Sequence, residues 1–222
     1  MRSAALETSS RRPSVAVRDG ERVVSRALDG DRPHASDLLP ALEAALTELG
    51  LGPADIEAVA VGTGPGSYTG LRVGIATALG IARGSDAQLV GVPSLEALAW
   101  GQLEPGEEAG VLLDARAREL YFAHYRRATA AAELEVITPP CVIARDELGP
   151  RLPAGLMLFA DDAALRAAGL EGDESRRIRS AHAHAEQVLE LGLARLASTG
   201  PQLPAEIEPL YLRAFAAQPR KR

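Results

Sequence analysis

Residues 56–74, Ile56-Glu57-Ala58-Val59-Ala60-Val61-Gly62-Thr63-Gly64-Pro65-Gly66-Ser67-Tyr68-Thr69-Gly70-Leu71-Arg72-Val73-Gly74, pass from an apolar run through a glycine-rich turn into a segment of helical periodicity. Ile56 to Val61 reads as a buried strand, because a short apolar run ending in turn residues fits a sheet covered on both faces. A helix is expected from about Ser67 to Arg83. A strand feeding a helix in this way is the unit from which α/β proteins are built. The turn has two readings. Its successive backbone N–H groups and the positive helix end suit an anion, with Gly64, Gly66 and Ser67 nearest to it; equally, it is a tight structural turn. It has no lysine of the GxxxxGK[ST] kind, and Gly62, Gly64 and Gly66 do not fit GxGxxG.

Upstream, Ser3 to Glu7, Ser14 to Arg18 and Glu21 to Leu28 read as an antiparallel meander, with Asp19-Gly20 as its second turn. Leu39, Leu42, Leu46 and Leu49 then recur at helical spacing from about Ser36, the expected N-cap, to Gly50. Downstream come a strand at Leu89 to Val92 and a helix beginning near Ser94, a possible cap. The order is β-β-β-α-β-α-β-α. Residues 111 onward repeat it: strands at Val111 to Asp114, Glu119 to Arg126, Leu134 to Ile137 and Leu156 to Phe159, a helix from Asp161 to Ala168, a weak strand near Arg177 to Arg179, and a long helix from about His184 to Ala197. The first helix of the second copy is lost or shrunk, since Gly149 and Pro150 interrupt Arg145 to Leu152. Two lobes are expected, 1–105 and 106–222, with Leu6-Glu7-Thr8-Ser9 and Leu113-Asp114-Ala115-Arg116 in equivalent places. Duplicated β-β-β-α-β-α-β-α is the layout of the actin, hexokinase and Hsp70 superfamily, in which two lobes flank a cleft.

The 222 residues are 46% hydrophobic, enough for ordinary cores. Glycine, proline or charge interrupts every apolar stretch before the roughly 18 residues a bilayer span needs, and Met1-Arg2-Ser3 is not followed by a signal-peptide core; a cytoplasmic protein is expected. The single cysteine, Cys141, has no disulfide or zinc-site partner and reads as a small buried strand residue. Residues 1–110 carry 9 Arg against 15 Asp and Glu, whereas residues 111–222 carry 15 basic and 15 acidic groups. An acidic first half is a poor receptor for polyanions, so any nucleic acid should be held by something else. The basic Arg220-Lys221-Arg222 reads as a solvated tail.

Val61 to Gly74 resembles the diagnostic segment of the TsaB (YeaZ) family, roughly VGxGPGSFTGLRIG. Other blocks resemble that family in its order: Glu7-Thr8-Ser9, with Glu7 where the family has Asp; His34-Ala35-Ser36-Asp37-Leu38-Leu39-Pro40; Val92-Pro93-Ser94-Leu95-Glu96-Ala97-Leu98; Leu113-Asp114-Ala115-Arg116 through Glu119-Leu120-Tyr121; and Pro209-Leu210-Tyr211-Leu212-Arg213. The resemblance implies an actin-like, non-catalytic relative of TsaD. TsaD carries a metal-binding HxxxH at the start of the helix after the fifth strand; Ser94 and Leu98 stand there in this chain. Neither replaces an imidazole ligand, and Leu98 reads as core. His182 and His184 are read as partly exposed residues at the start of the last helix rather than as metal ligands, His34 as a lone residue at the approach to the first helix, and His124 as a satisfied strand residue. Ser67 and Ser94 have no His/Asp frame for hydrolysis. Glu7 and Asp114 are expected to face each other across the cleft, either near a metal-bound phosphate or as caps of their own turns.

The resemblance also implies partners. Helix one carries Leu38, Ala41 and Ala45 beside its leucine face, after His34, and helix two carries Gly70, Gly74, Thr77, Ala78 and Ile81 along one side. Small residues at such spacing admit another helix closely or serve packing within the chain. In the family these helices contact TsaD, or a second copy when TsaD is absent. The function so implied is support of TsaD in forming threonylcarbamoyladenosine on transfer RNA, with TsaE as a further partner, RNA reached only through the complex, no metal or cofactor of its own, and ATP or ADP at the joint surface. The alternatives are an actin-fold acyltransferase or kinase with its own nucleotide site and a glycoprotease-like enzyme acting alone.

Overall fold

The computed structural model describes residues 1–28, 34–116, 118–129, 134–173 and 176–213, with side chains of 34–36 left out. Two five-stranded mixed sheets form the architecture. The first contains β1 (Ser3–Glu7), β2 (Ser14–Asp19), β3 (Arg22–Ala27), β4 (Ala58–Gly64) and β5 (Gln88–Pro93), in the order β3-β2-β1-β4-β5. The second contains β6 (Glu108–Arg116), β7 (Glu119–Arg127), β8 (Leu134–Ala144), β9 (Met157–Ala160) and β10 (Ile178–Ser180), in the order β10-β9-β6-β7-β8. In each, the first three strands pair antiparallel and the remaining pairs are parallel. The same order in both lobes bears out the duplication.

Six helices connect and cover the sheets: α1 (His34–Leu49), α2 (Tyr68–Ser85), α3 (Ser94–Trp100), α4 (Arg145–Arg151), α5 (Asp162–Ala168) and α6 (Ala185–Thr199), among the described residues. The shrunken first helix of the second copy is α4, seven residues long and containing Pro150. Ser67 caps α2, its Oγ accepting from Gly70 N–H at 3.2 Å, and Asp161 caps α5, accepting from Ala164 N–H at 2.7 Å. Such side-chain oxygens satisfy amides that a helix start leaves without partners.

Alternation along the strands builds two faces on each sheet. Leu6, Val59 and Val61 point toward α1 and α2, while Ala5, Ala16, Ala58 and Ala60 point the other way. The alanine face receives α6, whose Gly192 lies so close to Ala60 and Val90 that a β-carbon there would overlap the Ala60 methyl. The second sheet turns Val111, Leu113, Tyr121 and Tyr125 toward Leu95 and Leu98 of α3, and Leu112, Leu120 and Phe122 toward the α4–α5 side. The third helix of each copy therefore crosses to the other copy's sheet, and α3 and α6 pack together between the sheets.

The expected boundary at 105/106 separates the strands but not the packing, because α6 covers the first sheet. β4 continues three residues past Val61, so Gly62, Thr63 and Gly64 are strand rather than turn. β8 runs past Ile137 through Pro139 and Pro140 to Ala144; prolines are tolerated there because β8 is an edge strand. Helix α1 begins at His34, ahead of Ser36; the side chains of both, and Arg220-Lys221-Arg222, lie outside the described residues. Cys141 is half-buried rather than buried.

Candidate functional site: the interlobe crevice and the α1–α2 groove

Ligands in open α/β sheets sit in the crevice beyond the carboxyl ends of the strands. In the first lobe that region holds Glu7, Thr8, Ser9 and the turn after β4. The Glu7 carboxylate is fully buried and accepts from Ser9 N–H at 2.6 Å and from Ser94 Oγ–H at 2.8 Å. Ser94 Oγ in turn accepts from Gly64 N–H at 3.1 Å. Ser94 is thus the first residue of α3, buried, with its hydroxyl spent on Glu7; Pro93 holds the N-cap position that the sequence assigned to Ser94. Burial raises the Glu7 carboxyl above the ordinary carboxylate range, the hydrogen bonds from Ser9 and Ser94 opposing that rise. Its head group lies against Gly62, where any β-carbon would overlap it. Glu7 is enclosed in its own lobe and is not presented across the cleft.

In the second lobe, Asp114 Oδ1 accepts from Arg116 N–H at 2.8 Å. Glu7 and Asp114 occupy equivalent positions and do the same work, each binding the amide two residues on, which is the turn-capping alternative. Burial also raises the Asp161 carboxyl, with the charges of Asp114 and Asp162 adding to the effect.

The glycine turn is packed from within. Ser67 N–H donates to the Ser9 carbonyl oxygen at 2.7 Å, and the Gly64 and Gly70 amides are held by Ser94 and Ser67. Gly66 backs onto the Ser9 carbonyl, Gly70 onto the Thr8 carbonyl and Gly74 onto Thr8 Oγ1, each too closely for a β-carbon. Thr8 Oγ1 also donates to Gly70 O at 2.8 Å. These glycines bring α2 against the end of β1. Leu38, Ala45 and Ala78 likewise belong to the first-lobe core, Ala45 being 0% exposed. Leu38, Ala45, Gly70, Gly74 and Ala78 are therefore core packing and not an outer stripe. Glutamate at Ala45 or Gly74 would break the fold before it reported on any partner.

Ala41, Thr77 and Ile81 do reach the surface in part. Thr77 and Ile81 line a groove of about 730 Å³ between α1, the 3-10 turn Pro53–Asp55 and α2, together with Leu39, Pro53, Ala54, Ala76, Gly80, Gly84 and Ser85. Leu39 is 55% exposed, and an added β-carbon at Gly80 or Gly84 would meet nothing within 4 Å. The sequence reading assigned Leu39 to the buried face and passed over Gly80 and Gly84. A wider helical wheel, centred on the small residues 76, 80 and 84, would have found this face.

Leu98 is buried beneath the second sheet. His182 and His184 lie with ring centroids 3.9 Å apart in the link between β10 and α6. Burial, with His184 and Arg12 nearby, pushes the His182 imidazole down to about 4. Among the described residues no three His, Cys, Asp or Glu side chains are grouped to hold a metal ion. No helix among them is long and apolar enough to cross a membrane.

Two lobes of one strand order, joined by exchanged helices, define the class: a duplicated actin-like α/β protein. The sequence profile of the family described as tRNA N6-adenosine threonylcarbamoyltransferase, TsaD, matches residues 29–159. The tRNA threonylcarbamoyladenosine biosynthesis protein TsaB of Escherichia coli K12 is 37% identical over 129 residues, 57% of this chain and 56% of that protein. Its Bacillus subtilis counterpart is 28% identical over 123 residues, covering 55% of this chain and 54% of the other. The matches thus span about half the length of these curated relatives. YeaZ from Pseudomonas aeruginosa superposes with a TM-score of 0.79 at 25% identity, covering 95% of this chain and 99% of that one. The chain belongs to the TsaD-type family and, within it, to the TsaB (YeaZ) group.

Proposed function

We propose that this chain is a non-catalytic subunit in the formation of threonylcarbamoyladenosine on transfer RNA, and that it acts by docking a TsaD-type transferase on the α1–α2 groove. The observation that carries the reading is the groove: an apolar strip of Ala76, Gly80, Ile81 and Leu39, with small residues where another helix must come close. The names of the relatives from Escherichia coli and Bacillus subtilis supply the pathway. Ser94 and Leu98, standing where TsaD has its histidines, favour an accessory role. Docking activates the partner only through tighter binding to its active conformation. In this reading ATP or ADP belongs to the surface shared with TsaD and TsaE, RNA is met only through the complex, two copies pair by the same groove when TsaD is absent, and the work is cytoplasmic.

The test is reconstitution of the modification with and without this chain, using groove variants Leu39→Glu and Gly80→Arg. Both sites are exposed, so the variants should fold normally, fail to co-elute with TsaD and lose the stimulation of transfer. Full stimulation by folded variants would remove the groove from the account. Modification by this chain alone would remove the accessory role.

A further inference from the structure

The segment after α6 returns along the first lobe and reaches the second by Leu212 and Arg213. Gln202 N–H donates to Leu89 O at 2.9 Å, and Gln202 Oε1 accepts from Gly91 N–H at 2.7 Å. Ile207 is buried in the core beneath α1 and α2. Leu210 N–H donates to the Thr63 carbonyl oxygen at 2.8 Å. Tyr211 stacks on Tyr68 of α2 with ring centroids 5.1 Å apart; the Arg72 guanidinium lies 3.9 Å over the Tyr68 ring, and its Nε donates to Tyr211 Oη at 3.1 Å. Leu212 then packs against the core of the second sheet. Arg213 Nη1 donates to Ala115 O at 2.6 Å, and its Nε lies 3.0 Å from Glu119 Oε2.

Thr63 and Ala115 lie near the carboxyl ends of β4 and β6, the region where a crevice ligand would be received. One peptide segment holds both. Arg213 spends one guanidinium N–H on a carbonyl oxygen of the opposite lobe and sets its charge beside Glu119, a part-exposed ion pair in the same lobe. Among the described residues, Arg12 to Asp162 at 3.3 Å joins two exposed side chains of the two lobes and is the weak kind of ion pair, while the exchanged helices are tied in by Ala185 N–H on Ser14 Oγ at 2.9 Å and by the half-buried pair of Arg195 with Glu96. We propose that Ile207–Arg213 is an intramolecular clamp between the lobes, which adds to the packing of the exchanged helices and holds the two sheets at one relative angle so that the molecule meets its surroundings as a rigid body and not as a hinge. This is independent of the docking reading above and is tested on the isolated chain.

Spin labels on Ala44→Cys in α1 and Arg166→Cys in α5, in a Cys141→Ser background, report the interlobe distance by pulsed electron resonance. The intact clamp should give one narrow distribution, and Tyr211→Ala with Arg213→Ala should broaden it at least two-fold. An unchanged width overturns the clamp. Arg213→Gln removes the guanidinium without removing buried apolar surface, so it covers the case in which the double variant does not fold. With it, amide exchange at residues 115–119 and 63–72 should rise at least tenfold while β2 and β3 keep their protection. Unchanged exchange, or an equal rise across both sheets, overturns the proposal.

Discussion

Replacing Gly70 by alanine would set a β-carbon against the Thr8 carbonyl oxygen, which the end of β1 holds in place. Either the first turn of α2 shifts outward or the β1 turn yields. Overpacking of this kind costs about 1–3 kcal/mol. The shift also strains the hydrogen bond from Thr8 Oγ1 to Gly70 O, a bond of about 0.5–1.5 kcal/mol net. Against this stands the better helix propensity of alanine, at most about 1 kcal/mol. The balance is a loss of about 1–3 kcal/mol, or roughly 2–12 °C in Tm at about 2–4 °C per kcal/mol for a chain of this size. Gly80→Ala on the same helix meets only open space, so the propensity gain is unopposed and Tm should rise by about 2–4 °C. Thermal and urea unfolding of the two variants beside the parent decide the matter. Equal stability of Gly70→Ala and parent, or a loss at Gly80→Ala, would refute the packing of α2 on the Thr8 turn.

Glu7 is favoured in its neutral form by burial, so the stability it contributes is full below its unfolded value and is lost as pH rises through the raised folded one. Glu7→Gln should therefore gain on the parent as pH climbs from the acid side toward neutrality; parallel urea midpoints across that range would contradict the burial. His182 behaves in the opposite sense. Its folded value near 4 lies below the ordinary 6.5, so the unfolded chain takes up the proton first and stability falls as pH drops between those values. A nuclear magnetic resonance titration of His182 should show its midpoint near 4, and one near 6.5 would sink this account. Gly192→Val would force α6 away from Ala60 at about 1–3 kcal/mol, with a red shift in the emission of Trp100, the single tryptophan, which packs in the same cluster; unchanged emission and stability would count against that close approach.

The strands and α2 were legible because short apolar runs bounded by turn residues, and helical periodicity following a glycine-rich turn, are local signals. The glycine turn was legible in place but not in purpose. Gly70 and Gly74 look from sequence like room for another protein, whereas Thr8, more than sixty residues earlier, fills that room. The same ambiguity hid the groove, since Gly80 and Gly84 differ from Gly70 and Gly74 only in what faces them across the fold. Ser94 was read as a cap because serine before a helix usually is one; its bond to Glu7 spans 87 positions, and no periodicity reports such a distance. The crossing of α6 was likewise invisible as topology. Its trace was compositional: alanines on one face of β1, β2 and β4, and Gly192 on the helix that meets them.

The exchange of α3 and α6 orders events during synthesis. When Pro93 has left the ribosome every strand of the first sheet exists, yet its alanine side stays bare until Ala185–Thr199 follows. At cellular elongation rates that interval is on the order of 5–20 s, long beside the microseconds in which a hairpin forms. The nascent chain must wait with an open apolar surface, and a chaperone that shields such surfaces has its natural opportunity in that interval.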